Sequence, residues 1–397
     1  MVDPDKNKTP AISVIVTTYN KERELTLVLE AYRHQTFKDF ELIVADDGSG
    51  EATKKVIENA RSCSDFPIIH SWQEDDGFRA ARSRNLAVSK TRGQLLALTD
   101  GDCVPLPNYL EVLEKTYKKS CYLAGERYLL RQEEASPIDK TKISAGDSGY
   151  LKSLIPEREL KRLAKTRRKN RFYRTFRLKI RPTVMTCNFA LSKEDLLKIN
   201  GFDERYVGWG HEDTDLGRRL RSLGIKSANE LSEADIIHLW HKTESSFAGR
   251  VRDCANASYF DRGFYLSACR KGLKHRDYSD LKTVVKASNP GLQNLAEELL
   301  TGQKSSQPEL AILVQGKVGN SKSTLTFPKN VEVPVLVLEK GASVSGSLIK
   351  KASLILAQEE IDKNLFKSFQ GTFELLKGDS LNQEGLQEVH KRLDEII

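Results

Sequence analysis

The sequence predicts an α/β fold, a mainly parallel sheet with helices on both faces, followed by a small C-terminal α/β or α+β domain. Three observations carry this prediction. Apolar runs of strand length alternate repeatedly with helically spaced segments before residue 100. The run ends carry polar or turn residues: Tyr19-Asn20, Asp46-Asp47-Gly48-Ser49 and Asp100-Gly101-Asp102. Beyond Arg276 the composition changes and a second set of strand-like runs begins.

The elements follow in order. Ala11 to Thr18, AISVIVTT, is β-branched and reads as a central strand. Lys21 to His34 has helical spacing through Leu25, Leu29 and Tyr32. Phe40 to Ala45 is the second strand, Glu51 to Arg61 a second helix and Phe66 to Trp72 a third strand. Gly77 to Lys90 is a third helix, and Leu95 to Thr99 the fourth strand. Right-handed crossovers put the C-terminal ends of parallel strands on one rim. Tyr19, Asp47, Asp100 and Asp102 fall on that rim, where an open α/β sheet places ligand chemistry.

Each rim residue has a chemical use. Tyr19 offers an aromatic face to a base, and Asp47 a fixed acceptor for an imide N–H. Hard oxygen ligands at the spacing of Asp100 and Asp102 suit a divalent cation that neutralises a diphosphate. Gly101 between them lets the chain turn sharply. Alone, DGD is equally an ordinary solvated turn. In GFRAARSRN, arginines near a helix start can neutralise a diphosphate, whereas Arg82 reads as an exposed helix charge.

The stretches VIVTTYNKERELTLVLEAYRHQTFKDFELIVADDGS, EDDGFRAARSRN and LTDGDCVP run in order from about Ala11 to Pro107. Together they resemble the family 2 inverting glycosyltransferases, whose fold is the Rossmann-like GT-A type. The resemblance implies a nucleotide-sugar pocket with Thr18, Tyr19, Asp47, Arg79, Arg84 and Asp100 on the donor. It implies a DxD motif in which Asp102 reaches a metal and Asp100 the ribose.

Downstream, Tyr109 to Leu130 reads as a helix and an edge-like strand, and Gln132 to Tyr150 as a loop. Thr183 to Leu191 returns to strand character. Ser192 is a good N-cap for KEDLLKIN, and Gly201 closes that helix. GFDERYVGWGHEDTDLGRRLRSLG then sets Gly208, Trp209 and Gly210 in a tight aromatic turn before Glu212, Asp213 and Asp215 at a helix start. Acids there are ordinary dipole partners. A tryptophan beside a Glu-Asp pair is equally how a sugar site looks, and one such carboxylate can be a general base. In ADIIHLWH, His238 and His241 lie on opposite faces of a regular strand, so joint ligation needs a bend or a strand end.

This part resembles the GWGxED signature shared by family 2 enzymes and β-1,4-galactosyltransferases. The resemblance implies that Asp213 deprotonates the acceptor, Glu212 holds it and Trp209 lines the sugars. His241, and with it His238, would join Asp102 on the metal. A carboxylate with imidazoles suits Mn²⁺ and tolerates other first-row ions; Mg²⁺ is the other candidate. The expected activity is metal-assisted, inverting transfer of a hexose or N-acetylhexosamine from a nucleotide sugar, UDP-linked for preference, to a glycan or lipid-linked glycan. The alternative is a catalytically inactive nucleotide-sugar or glycan-binding scaffold.

Composition bounds the rest. With 397 residues, 39% hydrophobic and 30% charged, the chain is of globular type. Six cysteines form no CxxC pair, which points to neither a zinc ribbon nor a disulfide framework. The N-terminus has no apolar signal core and no run is long enough to span a bilayer. The expectation is a cytoplasmic chain, peripheral to the inner membrane face. Net charge is +8, and Lys161 to Arg181 holds no acid. That segment is either a solvated helix or a basic amphipathic one on an anionic membrane surface. Nucleic acid is not an expected partner, since no nucleic-acid module is present. Glu244 to Lys274 reads as helix, and Asn256-Ala257-Ser258 is a formal glycosylation acceptor. Leu281 to Leu300 reads as helix broken at Pro290-Gly291, with strands in ELAILVQ, VEVPVLVLEK and ASLILAQ and a final helix from Leu381. GKVGNSKST imitates a phosphate-binding loop but has Ser321 where the second glycine belongs. The expected divisions are 1–107, a nucleotide-sugar half; 108–275, an acceptor half containing the basic segment 157–181; and 276–397, an accessory domain.

Overall fold

The structure, a computed structural model, describes residues 9–145, 148–176, 184–228, 234–242, 254–316, 325–361, 369–377 and 380–397. The chain divides into two units, Met1–Asn256 and Ala257–Ile397.

The first unit is built on β1 (Ile12–Thr18), β2 (Phe40–Asp46), β3 (Ile68–Trp72) and β4 (Leu95–Asp100), all parallel. The side chains of β1, β2 and β4 are buried almost throughout, as continuous apolar runs require when helices cover both faces, whereas the edge strand β3 is partly exposed. Further strands are β5 (Cys103–Pro105), β6 (Cys121–Ala124), β7 (Arg127–Leu129), β8 (Asn188–Ser192), β9 (Lys226–Ser227) and β10 (Ile236–His238). The main sheet has seven strands in the order β3-β2-β1-β4-β8-β6-β9. β8 runs antiparallel to both β4 and β6. β6, expected at an edge, lies between β8 and β9. A small sheet, β5-β10-β7, carries the histidine strand. Chain order reverses at β1, whose neighbours are β2 and β4, so a crevice opens at the C-terminal ends of β1 and β4.

Gln132 to Tyr150, expected as loop, contains short helices at Gln132–Ala135 and Lys140–Ser144. Side chains start both: Glu134 accepts from the Arg131 N–H at 2.7 Å, and Asp139 accepts from that of Thr141 at 2.9 Å. The basic segment is a helix over Glu157–Thr175; its end, Arg177 to Arg181, lies outside the described residues.

The second unit holds β11 (Lys282–Ala287), β12 (Gln303–Lys304), β13 (Leu310–Gln315), β14 (Val333–Leu338), β15 (Leu354–Ala357) and β16 (Thr372–Leu375). They form one parallel sheet, β12-β11-β13-β14-β15-β16. Leu281 to Leu300 is therefore a strand and then a helix, Pro290–Leu300. Thr283, Val284 and Val285 favour the strand. Pro290 starts the helix rather than breaking it, behind the cap Asn289. Of the helix expected over Glu244–Lys274, residues 244–253 lie outside the described residues, and the remainder is helical only at Ala257–Phe260. Gly263 then takes a left-handed φ of 84°, and Phe264 and Leu266 enter the second unit's core. That is why this unit begins before the expected boundary at 276. The expected division at 107/108 cuts a continuous sheet, because β8 hydrogen-bonds to β4. Of the GKVGNSKST loop only Gly316 is described.

Candidate active site

Around the ends of β1 and β4 lies a cleft of ≈ 540 Å³. It is lined by residues from both motif groups, among them Thr18, Tyr19, Asp47, Arg84, Asp100, Asp102, Trp209, Glu212, Asp213, His238 and His241.

Asp47 follows β2 directly and is buried. Gln73 donates to its Oδ1 at 2.6 Å and the Arg79 backbone N–H to its Oδ2 at 2.8 Å. A carboxylate has further lone pairs, so this one is oriented yet able to accept from a base. Burial pushes its pKa up. Tyr19 is half-exposed, its hydroxyl donating to Asp75 at 2.9 Å. Arg79, expected on the donor, is not among the cleft-lining residues; its guanidinium pairs with Asp76 at 2.8 Å. Arg82 is exposed.

Arg84, expected on the donor, lines the cleft and is held there by neighbouring acids. Its buried guanidinium donates to Glu212 at 3.2 Å, Asp100 at 3.4 Å and the Thr17 hydroxyl at 3.1 Å. It lies over the Phe202 ring, 5.5 Å from the centroid. It joins the end of β4 to the helix Glu212–Ser222 and is already paired with carboxylates. Gly101 does not have a left-handed φ. A Cβ there would meet Thr18 Oγ1 at 2.9 Å, so the glycine permits close approach of β1 rather than a special turn.

Asp102 is 3% exposed. His241 Nε2 lies 3.2 Å from its Oδ2 and His238 Nε2 3.7 Å from its Oδ1. β10 ends at His238, so the chain leaves strand geometry before His241 and both rings face one carboxylate. Lys21 Nζ also contacts Oδ2, at 2.7 Å. Burial raises the Asp102 pKa, but His238, Lys21 and His241 outweigh it and bring it down to about 2. Burial lowers His238 to about 4, leaving a neutral imidazole with a free lone pair near pH 7. One ligand atom from each of the three residues falls within 4.8 Å of the others. Two imidazoles with a carboxylate suit a first-row transition ion better than Mg²⁺, which prefers oxygen. Lys21 on the same oxygen marks this as a place that holds positive charge.

Gly208 (φ 78°), Gly210 (φ 105°) and His211 (φ 72°) are all left-handed. These turns bring Trp209 to the cleft wall and start the helix Glu212–Ser222 there. Asn256 Nδ2 donates to the Gly210 carbonyl at 2.9 Å. The asparagine of the formal glycosylation acceptor is thus buried and pins this loop. Burial and the adjacent Glu212 charge push Asp213 up to about 7, against the lowering influence of Arg84.

Sequence reasoning did not single out Lys21, Gln73, Arg127 or Lys242, although Lys21, Arg127 and Lys242 line the cleft. Lys21 stood inside the matched TTYNK stretch; Gln73, Arg127 and Lys242 had no local signal.

Residues 13–198 match the family model "Glycosyl transferase family 2". Residues 168–242 match a second model, the N-terminal domain of galactosyltransferase. The match to family 2 covers β1 to β8, and so the DxD strand; the second reaches His238 and His241. Among curated proteins, the chain is 30% identical over 233 residues to validoxylamine A glucosyltransferase of Streptomyces hygroscopicus subsp. limoneus, covering 54% of this chain and 49% of that one. It is 28% identical over 229 residues to hyaluronan synthase of Pasteurella multocida, covering 54% and 23%. The chain spans about half the length, 49%, of the first of these relatives. Among solved structures, a mannosyltransferase of Pyrobaculum calidifontis in complex with GDP-Man and Mn²⁺ aligns at 17% identity and TM-score 0.40, over 61% of this chain and 60% of that one. TarS of S. aureus with UDP-GlcNAc aligns at 17% identity and TM-score 0.40, over 60% and 61%.

Proposed function

We propose that the first unit is an inverting glycosyltransferase acting on a nucleotide sugar, UDP-linked for preference, and a glycan or lipid-linked glycan acceptor. One observation carries the reading: Asp47, Asp102, Asp213 and His241, far apart in sequence, all line a single cleft. The family 2 match and the glycosyltransferase relatives support it.

In this reading Asp47 accepts the imide N–H of the base and Tyr19 covers the ring. Asp100 meets the ribose, and Asp102, His238 and His241 would hold a divalent first-row ion, with Mn²⁺ the one to test. Such an ion would stabilise charge on the departing diphosphate. Trp209 gives the sugars an apolar platform and Glu212 receives an acceptor hydroxyl. Asp213 takes the proton of the attacking hydroxyl as its oxygen bonds to the anomeric carbon and the bond to the diphosphate oxygen breaks. Attack from the face opposite the leaving group turns an α-linked donor into a β-glycoside.

The test is a nucleotide-sugar panel scored for turnover with and without Mn²⁺. Turnover of one donor, dependent on the ion and reduced about 10²–10⁴-fold in Asp213→Asn, is expected. Binding of UDP without turnover of any sugar nucleotide would favour an inactive scaffold instead.

A further inference from the structure

We infer that Lys21 is the resident counter-cation of Asp102, which yields to the divalent ion and moves onto the donor's diphosphate, so that ion and nucleotide bind with positive coupling. The inference rests on the metal and nucleotide reading above.

Asp102 Oδ2 is claimed twice, by Lys21 Nζ at 2.7 Å and by His241 Nε2 at 3.2 Å. Its side chain is 5% exposed, and a carboxylate so withdrawn from water is costly to leave without a positive partner. Lys21 supplies that partner when no ion is held. An ion held by Asp102, His238 and His241 would compete for this carboxylate and bring two positive charges beside the ammonium. The repulsion at this range is strong within a poorly hydrated cleft. Lys21 therefore has to leave for the ion to settle.

The chain makes that departure possible. Lys21 precedes the helix Glu22–Arg33, and its carbonyl accepts from the Leu25 N–H at 2.8 Å, so the backbone stays fixed. Its side chain is a third exposed and lines the cleft, so the four-carbon stem can rotate within it. A bound diphosphate offers the displaced ammonium a new anionic partner. Arg84 is less able to serve, because Asp100 and Glu212 already hold it. The ion alone must evict Lys21 into water, whereas the ion with nucleotide hands it to phosphate. Each ligand then tightens the other by the same factor.

The experiment is a Mn²⁺ titration of the full chain by electron paramagnetic resonance, with and without UDP, in wild type, Lys21→Met and Lys21→Arg. Without UDP, Lys21→Met should bind Mn²⁺ about five-fold more tightly than wild type, as expected for removal of a partly exposed competing cation. The tightening by UDP should be smaller in Lys21→Met than in wild type, the remainder coming from the ion's own attraction for the diphosphate, and should persist in full in Lys21→Arg. Equal or weaker Mn²⁺ binding by Lys21→Met, or wild-type binding that UDP leaves unchanged, overturns the role of Lys21 alone. Absence of Mn²⁺ binding in wild type under both conditions overturns the metal reading and this inference with it.

Discussion

Asp213 owes its basicity to its surroundings. Burial and the Glu212 carboxylate push it up to about 7, far above an ordinary aspartate. A base must be ionised to act, so kcat/KM should fall as pH drops below about 7, with a slope of one in a pH–rate profile. Replacing Glu212 by Gln removes the like charge, so the acid limb should move to lower pH even where acceptor binding weakens. The sign for stability is opposite. A carboxyl with a raised folded-state pKa contributes stability below its unfolded value and loses that contribution as pH rises through about 7. Gly101 is a second residue with a measurable consequence. In Gly101→Ala the new methyl would sit 2.9 Å from Thr18 Oγ1, with strand backbone behind it. Denaturant unfolding should show a loss of about 1–3 kcal/mol, the usual cost of overpacking. The acids and histidines of this site were legible as residue types at recognisable spacings. The tie between Arg84 and Glu212, 128 positions apart, was not, because no local pattern encodes a contact at that separation.

At the scale of single elements, local chemistry explains most starts and stops. Asn289 accepts from the Leu292 N–H at 2.9 Å and caps the helix that Pro290 opens. Asn289→Ala should therefore cost about 1 kcal/mol, read from thermal unfolding of the second unit. The basic helix Glu157–Thr175 carries an unusual face. Phe172 and Phe176 are exposed one turn apart with ring centroids 4.5 Å from each other, and Lys165, Arg168 and Lys169 are exposed on the turns before them. We propose that this face meets anionic lipid, since aromatic rings beside cations suit a charged interface. Flotation with phosphatidylglycerol vesicles at low salt should recover the wild-type chain and lose it at high salt. Phe172→Glu/Phe176→Glu should not float under either condition. Flotation that ignores salt, or no flotation of the wild type, would remove the membrane from the reading. Among the described residues no helix is long and apolar enough to cross a bilayer.

On the scale of the whole molecule there are two units, each with its own sheet structure and its own buried apolar core. Units with separate cores need not unfold together. Calorimetry of the full chain should give a measured enthalpy larger than the van't Hoff value, where one cooperative domain would give equality.

What the sequence determined alone was local. Apolar runs of strand length, helical spacing, caps and glycines specify the strand-helix alternation, and the motif acids stand at strand ends and a helix start because the chain's own chemistry ends the elements there. Tertiary structure decided the rest: that β8 enters antiparallel beside β4, that Lys21 meets Asp102, and that Arg84 is held by Asp100 and Glu212 at the cleft wall. The physical reason is separation along the chain. A strand's neighbour and a buried charge's partner are chosen by packing and by the cost of leaving polar groups unpaired, and those balances are struck between segments that share no local pattern.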